Sequence, residues 1–339
     1  MTMAATLPTV APIAPGPLMN GRWPMNYLIT QGPRADPATV LTWATIALSV
    51  TVVAIITVAV VSGVLVKAIR RSHGDSRAYA VERGPNGLTW IYVGLPLTLL
   101  ALGILLVWTL EVMAQIDSPH RRPALTLEIT GHEWWWEVRY RGATPSDTFT
   151  TANEIHIPVG QPILVKLDSA DVIHAFWVPA LTGKTQTIPG RTNISWIEAA
   201  RPGIYRGQCA QFCGLQHAHM ALYVTADPPA QYAAWRQNQL LPSAAPLTPV
   251  ALAGQATFIR RCGGCHAVEG TSAGGILGPD LTHLESRGTI AAGALPNTPN
   301  ALSGWISDPQ SSKPGARMPP TQLSGPQLRE VVAYLETLR

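Results

Sequence analysis

The stretch that decides the fold reads Cys209-Ala210-Gln211-Phe212-Cys213-Gly214-Leu215-Gln216-His217-Ala218-His219-Met220. Two thiols, an imidazole and a thioether follow one another in it at intervals of four, four and three residues. Soft sulfur ligands combined with imidazole are the set that copper selects. One Cys, one Met and two His would suit a single blue-copper ion, whereas the second Cys allows two thiolates to bridge two copper ions. The remaining imidazole must come from elsewhere, and we expect it from His174 in Asp171-Val172-Ile173-His174.

The two cysteines of this stretch have other possible uses. Cys209 and Cys213 could form a disulfide, or they could be inert buried thiols. Neither alternative explains why His217 and Met220 stand at offsets that suit a metal site. The sequence therefore favours a copper site.

The same stretch, with the upstream Asp-Val-x-His, resembles the binuclear CuA site of subunit II of haem-copper oxidases. The resemblance runs from the first apolar segment to about Asp227. The copper ligands that it implies are His174, Cys209, Cys213, His217, Met220 and the main-chain carbonyl of Gln211. The family usually carries Glu where this chain has Gln211, and that carboxylate normally reaches a magnesium ion shared with the catalytic subunit. A neutral amide is a weaker ligand for a hard cation.

A second cofactor motif is Cys262-Gly263-Gly264-Cys265-His266, which is typical of covalent c-type haem attachment. The two thiols add to the haem vinyl groups, and His266 is placed to ligate the iron. A zinc knuckle would need two more ligands at short spacing, and only His283 is near. The segment Gly278-Pro279-Asp280-Leu281 resembles the one whose Pro carbonyl accepts the proximal His N–H in class I cytochromes c.

The sixth iron ligand is expected from Met318, in Gly315-Ala316-Arg317-Met318-Pro319-Pro320. This segment resembles the distal Met loop of class I cytochromes c, and that resemblance covers residues 250–339. The alternative is that Met318 is an ordinary core residue. Met/His ligation raises the haem potential, which suits a donor to copper.

Two apolar runs, residues 39–66 and 90–114, are each long enough to span a bilayer as a helix. The loop between them holds five basic residues against two acidic ones: Lys67, Arg70, Arg71, Arg77 and Arg83 against Asp75 and Glu82. The positive-inside rule puts this loop in the cytoplasm. We therefore expect a bacterial inner-membrane, multi-pass protein with its soluble parts on the periplasmic or outer side.

From residue 124 the pattern changes to alternation with period two, as in a half-buried strand. The strands predicted lie at residues 125–130, 154–158, 163–167, 193–197, 204–207 and 221–225. The fold class is multi-domain: two transmembrane α-helices forming a hairpin, a cupredoxin-like β-sandwich and an all-α cytochrome c domain. The predicted parts are an N-terminal arm (1–38), the hairpin (39–116), the CuA domain (123–227), a linker (228–249) and the cytochrome c domain (250–339).

Three consecutive tryptophans, Trp134, Trp135 and Trp136, are a third point of resemblance, because one aromatic ring in this part of the family receives electrons near CuA. On a strand, alternate residues point to opposite faces, so Trp134 and Trp136 would share one side. Packing against the sandwich or the bilayer surface is the other role open to two of these rings.

Charge excludes nucleic-acid binding as a function. Residues 123–226 hold seven Lys or Arg against eight Asp or Glu, and residues 249–339 hold seven against six. Neither part has the basic patch that nucleic-acid binding needs.

The resemblances together imply subunit II of a respiratory cytochrome c oxidase with a fused cytochrome c domain, of the caa3 type. Such a subunit passes electrons from a donor through covalently bound haem c to binuclear CuA, and on to the haem of the catalytic subunit. Oxygen is reduced to water there, coupled to proton translocation, so this chain has no catalytic residue of its own. The implied partners are oxidase subunits I and III, the membrane, and cytochrome c or another small donor.

Three other functions compete with this interpretation. The CuA subunit of a nitric oxide reductase differs only in the terminal acceptor, which lies in another subunit. Quinol oxidase subunits lose the copper ligands that this chain keeps. A membrane-anchored copper-delivery protein would not need haem on the same chain.

Overall fold

The computed structural model describes residues 25–72 and 87–339. The arm up to residue 24 lies outside the described residues, as do Arg77, Arg83, Asp75 and Glu82 of the predicted cytoplasmic loop. The chain divides into two compact units. One is residues 36–118, and the other combines the described residues before 36 with residues 119–339.

The first unit consists of two long helices, α1 (Asp36–Ser72) and α2 (Gly87–Asp117). Both are long and apolar enough to cross a membrane. A 37-residue helix such as α1 exceeds the roughly 20 residues that a bilayer requires. Most of their apolar side chains are exposed, as expected for helices whose natural solvent is lipid. Lys67, Arg70 and Arg71 lie within α1, in its last two turns.

Ten short strands follow the helices, and their bounds are β1 (Leu125–His132), β2 (Trp135–Tyr140), β3 (Phe149–Ala152), β4 (Glu154–Pro158), β5 (Ile163–Ser169), β6 (His174–Phe176), β7 (Thr185–Thr187), β8 (Asn193–Ile197), β9 (Gly203–Gln208) and β10 (Ala221–Asp227). All six predicted strands are present, and β2, β3, β6 and β7 are additional. The strand order is β3-β2-β1-β5-β8 in a five-stranded sheet and β4-β10-β9 in a three-stranded sheet. The strands β6 and β7 pair with each other.

The core of this domain lies between the sheets and follows the alternation of the strands. Leu127 and Ile129 of β1 are fully buried, as are Ile155 and Ile157 of β4. Each fully buried aliphatic side chain contributes about 1.5–3 kcal/mol by leaving water. This packing makes the sandwich a rigid base for the loops at its edge.

The prediction that the three tryptophans are consecutive on one strand was wrong for Trp134. Glu133 and Trp134 form the turn between β1 and β2, and β2 begins at Trp135. A hairpin has to reverse within two residues here, because His132 pairs directly with Trp135. Trp134 and Trp136 are nevertheless both buried, at 7% and 0% exposed, whereas Trp135 is half-buried.

The C-terminal part is helical: α3 (Pro229–Gln239), α4 (Pro249–Arg261), α5 (Pro299–Ser307), α6 (Pro309–Ser312) and α7 (Gly325–Leu335), with a small hairpin of β11 (Thr289–Ile290) and β12 (Leu295–Pro296). The side chain of Thr248 caps α4 by accepting a hydrogen bond from the Ala251 N–H. Ser324 and Gln327 form a capping box at the start of α7. The helices α4 and α7 pack so closely that a side chain at Gly254 would collide with the Glu330 carbonyl.

Candidate metal centre and haem site

The candidate copper ligands sit on two loops at one edge of the sandwich. His174 is the first residue of β6, and the stretch 209–220 joins β9 to β10. Two main-chain hydrogen bonds hold this loop, from Cys209 N–H to the Met220 carbonyl at 2.9 Å and from Ala210 N–H to the Ala175 carbonyl at 2.9 Å. The first closes the loop at its base, and the second ties it to β6, so the loop and His174 are brought together.

The structure brings all six predicted copper donors together around two sulfurs. The Sγ atoms of Cys209 and Cys213 are 3.8 Å apart. Around Cys209 Sγ lie the Nδ1 of His174 at 4.0 Å and the carbonyl oxygen of Gln211 at 3.2 Å. Around Cys213 Sγ lie the Nδ1 of His217 at 3.5 Å and the Sδ of Met220 at 3.9 Å.

The chemistry of this donor set fits copper. Both cysteines are free, and a separation of 3.8 Å is nearly twice a disulfide bond length of about 2 Å. His174, Cys209 and Cys213 are all buried, so their donor atoms are shielded from water. Soft thiolate and thioether ligands combined with imidazole are a donor set that suits copper.

Asp171 orients His174. One oxygen of its carboxylate lies 2.9 Å from His174 Nε2, which leaves Nδ1 facing Cys209. Burial alone would raise the pKa of Asp171, but hydrogen bonds from His174 and from the main-chain N–H groups of Glu133 and Val172 outweigh burial and lower the pKa to about 2. Asp171 is therefore a carboxylate at neutral pH, and a carboxylate behind a ligating imidazole fixes its tautomer and orientation.

The two neighbouring thiols shift each other's pKa in opposite directions in the metal-free protein. A hydrogen bond from Cys213 lowers the pKa of Cys209 to about 4, although burial opposes this effect. The pKa of Cys213 is raised, because Cys213 supplies that bond and is itself buried. A bound cation deprotonates a coordinating thiol outright, so both sulfurs can serve as thiolate ligands.

The residues around the Gln211 side chain do not fit magnesium. The surface concavity beside it is lined by Ala175, Lys184, Thr185, Gln186, Asn193, Ile194, Ala210 and Gln211. This lining offers amides, a hydroxyl and one ammonium group, and it holds no carboxylate. Magnesium is held in proteins chiefly by carboxylates and water, so this side of the chain lacks the ligand type that such a site needs.

The three tryptophans have different surroundings. The Nε1–H of Trp134 donates to the carbonyl of Cys213 at 2.7 Å. Trp136 is in the core, edge-on to the His174 ring at 5.9 Å between centroids. Trp135 is half-buried and stacks on His132. Trp134 is thus the ring that is hydrogen-bonded to one candidate copper ligand, Cys213, and Trp136 packs against another, His174.

The haem motif begins where α4 ends. Cys262 is the C-terminal cap of α4, and the Cys265 and His266 N–H groups both donate to its carbonyl at 3.0 Å. His266 Nδ1 lies 2.8 Å from the Pro279 carbonyl, so the structure contains the hydrogen bond implied by the resemblance. That bond leaves Nε2 available to iron, and burial lowers the pKa of His266, which favours the neutral, ligating imidazole. A side chain at Gly278 would lie 2.6 Å from this ring. The site fits haem c.

Met318 is half-buried on a loop that one glutamine organises. The Gln310 side chain donates to the carbonyls of Ala316 and Met318, at 2.8 and 3.1 Å, and accepts from the Gly315 N–H at 2.8 Å. The role of Gln310 was not predicted from the sequence. Neither was the burial of Lys313, which lies in the same loop and is 3% exposed. The sequence carries no signal for either, because both depend on contacts made after folding.

Comparisons with known proteins agree with this geometry. The family described as "Cytochrome C oxidase subunit II, periplasmic domain" matches residues 141–227, and the family "Cytochrome c" matches residues 251–339. The chain is similar to cytochrome c oxidase subunit 2 of Alkalihalophilus pseudofirmus, with 34% identity over 301 residues, covering 86% of this chain and 85% of the relative. It is 29% identical over 287 residues to the subunit 2 of Bacillus sp. strain PS3, covering 80% of this chain and 79% of that relative.

Among solved structures, the periplasmic domain of subunit II of cytochrome oxidase of Bradyrhizobium japonicum is 32% identical. It covers 35% of this chain and 95% of its own length, with a TM-score of 0.33. The relative that is 34% identical spans most of the chain, and the two family matches cover the sandwich from β3 to β10 and then the helices from α4 to α7. The chain therefore belongs to the cytochrome c oxidase subunit 2 family, in a form that carries a cytochrome c domain after the periplasmic domain.

Proposed function

We propose that this chain receives electrons for a membrane-bound cytochrome c oxidase, and that it holds a binuclear copper centre and one covalently bound haem c. Within its family it is an electron-transfer subunit of an oxidoreductase. The observation that carries the proposal is the convergence of two thiols, two imidazoles, a thioether and a carbonyl at one edge of the sandwich. When bound, the two groups supply one-electron redox chemistry between an external donor and the catalytic subunit.

The residues proposed as copper ligands are His174, Cys209, Gln211, Cys213, His217 and Met220. Their loops join buried strands, which limits how far the ligands shift when charge changes. Small geometric change favours electron transfer, because less reorganisation accompanies each step. Asp171 holds His174 in place for the same purpose.

Haem c would be held by Cys262 and Cys265 through thioether bonds and by His266 and Met318 as axial ligands. The Pro279 carbonyl orients the His266 ring, and Gln310 fixes the Met318 loop.

Trp134 is proposed as the ring through which electrons reach copper. Its indole N–H is hydrogen-bonded to the Cys213 carbonyl, and its other edge faces the cytochrome segment at Gly315. Trp136 supports the His174 ring, and Trp135 has neither contact. A hydrogen bond to a ligand residue gives the electron a more direct path to copper than a gap without bonded contact would.

The proposed location follows from α1 and α2 and from the periplasmic character of the matched domain. The soluble domains are proposed to lie on the outer side of a bacterial inner membrane, with the two apolar helices as the membrane anchor. The proposed partners are the haem-copper catalytic subunit I, subunit III, and cytochrome c or another small donor. Oxygen reduction and coupled proton translocation belong to the assembled complex.

Metal analysis combined with spectroscopy tests the proposal. The full chain in detergent should contain two copper ions and one iron, with a multiline hyperfine EPR pattern from an electron shared by two copper nuclei. A single copper released by mild chelation would instead indicate copper delivery. Gas-uptake assays of the purified complex with oxygen and with nitric oxide would separate the oxidase from a nitric oxide reductase.

A further inference from the structure

The cytochrome domain contacts the copper domain through two segments, which we call dock A (residues 288–293) and dock B (residues 313–317). In dock A, the Glu154 carboxylate of the copper domain accepts three hydrogen bonds. They come from Gly288 N–H at 3.1 Å, Thr289 N–H at 2.9 Å and Thr289 Oγ1 at 3.0 Å. Three donors on one carboxylate fix both its position and that of the segment it binds, and such charge-assisted bonds are the stronger kind.

Dock A continues onto the copper loop itself. The Ala221 N–H, one residue after Met220, donates to the Ala292 carbonyl at 3.0 Å. A side chain at Gly293 would lie 2.9 Å from the Ala221 Cβ, so the two backbones are in close contact. Glu154 pairs with Tyr223 across β4 and β10. The carboxylate and the end of the copper loop therefore belong to one rigid pair of strands.

Dock B lies against Trp134. Lys313, which is 3% exposed, donates through Nζ to the Trp134 carbonyl at 2.6 Å, and the Gln216 side chain donates to the Pro314 carbonyl at 2.8 Å. Arg317 approaches the carboxylates of Glu133 at 3.3 Å and Asp171 at 3.6 Å. Met318 follows immediately. Dock B thus joins the candidate iron ligand to residues that touch the copper ligands.

One bond connects the two docks. Lys313 Nζ also donates to the carbonyl of Ala291 in dock A, at 3.1 Å. The position of dock A on Glu154 therefore constrains dock B on Trp134. A carboxylate on the far side of the interface can in this way set the distance between Met318 and the copper loop.

From these contacts we infer that Glu154 is a positioning residue for electron transfer between the two cofactors. It holds the cytochrome domain in the one register that presents dock B to Trp134. The inference rests on the proposed function, because it takes haem and copper to be the groups whose separation is set. Glu154 touches neither cofactor and acts only through the docked domain.

The test compares Glu154→Ala with a matched control, Glu128→Ala, in the full chain assembled with its complex. Glu128 is also a copper-domain carboxylate, but its partners lie in the same domain: Lys166 is in β5 of its own sheet, and Arg141 directly follows β2. The first readout is the first-order rate of electron transfer from haem to copper after flash reduction. The second is hydrogen exchange of the amides in docks A and B.

Loss of a multiply bonded carboxylate should weaken docking roughly tenfold or more. We expect faster exchange at both docks and slower electron transfer in Glu154→Ala, with partial rescue in Glu154→Gln, whose amide oxygen still accepts. Glu128→Ala should change neither. Arg317→Gln, at an exposed side chain, should loosen dock B in the same direction and more strongly at low salt.

Equal transfer rates in Glu154→Ala and Glu128→Ala, or unchanged exchange at the docks, would overturn the inference. Copper EPR and haem absorption of each variant distinguish failure of the positioning role of Glu154 from failure of the proposed function. If both cofactor spectra are normal but docking is unaffected, the proposed function stands and the positioning role fails. If the wild type lacks the shared-electron copper pattern, the proposed function fails, and exchange alone still decides the role of Glu154 in docking.

Discussion

Lys313 gives the interface between the domains a predictable dependence on pH. Burial lowers its pKa from 10.5 to about 7, although electrostatic interaction with the nearby Cys213 acts in the opposite direction. Above about pH 7 the docked lysine is therefore a neutral amine. Such an amine has two N–H groups, which matches the two carbonyl acceptors at Trp134 and Ala291.

The dependence on pH arises because Lys313 binds fewer protons when it is docked than when it is exposed. An exposed lysine in the undocked or unfolded chain keeps its ordinary pKa, so that state binds more protons between about pH 7 and 10.5. Stability rises with pH wherever the unfolded state binds more protons. Below about pH 7 Lys313 is protonated in both states, and the free energy of unfolding is lowered by the full cost of burying its charge. Raising the pH through this window relieves the cost by up to about 1.4 kcal/mol per pH unit, or about 5 kcal/mol in total.

The assay is denaturant unfolding of the full chain in detergent, followed by haem absorption at several pH values in this window. Subtracting the free energy of unfolding of Lys313→Met from that of the wild type removes the contribution of every other titrating group. The difference should rise with pH. Lys166→Met, at a side chain that is 43% exposed, is the control and should keep the wild-type slope. A flat difference between wild type and Lys313→Met would refute the reasoning.

Three further predictions concern the two cofactor sites. Replacing Cys213 by Ser should abolish the shared-electron EPR pattern and leave the haem bands intact, and loss of both would contradict their assignment to separate domains. Gly278→Ala should displace the proximal imidazole, which lies 2.6 Å from the new methyl group, and lower the unfolding free energy of the haem domain by about 1–3 kcal/mol. Gly274→Ala, where the space is open, is its control in the same unfolding experiment. Trp134→Phe removes the N–H bonded to the Cys213 carbonyl and should slow flash-induced electron transfer with the copper spectrum retained, whereas Trp135→Phe should leave the rate unchanged.

The candidate sites were predictable because their residues carry local signals. The spacing from Cys209 to Met220 places donors on one short loop, and the Cys262–His266 motif is a contiguous segment. The long apolar helices were predictable for a similar reason, since length and composition alone define them. In each case the signal lies within one continuous segment of the sequence.

The rest depends on tertiary contacts that leave no pattern in the sequence. Trp134 interrupts the strand because the chain reverses at that point, and alternation alone does not reveal where a two-residue turn falls. β6 and β7 are three residues each, too short for a period to appear. Glu154 and Lys313 are single charged residues in ordinary surroundings, and their roles exist only once the cytochrome domain lies against the sandwich.

On the proposed route through Trp134, the burial of this ring bears on what limits turnover. Its ring is only 7% exposed, with the Cys213 carbonyl at one edge and dock B at the other. A soluble donor that used this surface would have to leave after each electron, and its spent form would compete with fresh donor for the same place. A donor held by its own chain has no such departure step. The proposed route therefore predicts no product inhibition at the copper domain, with competition between reduced and oxidised donors confined to the exposed side of the haem domain.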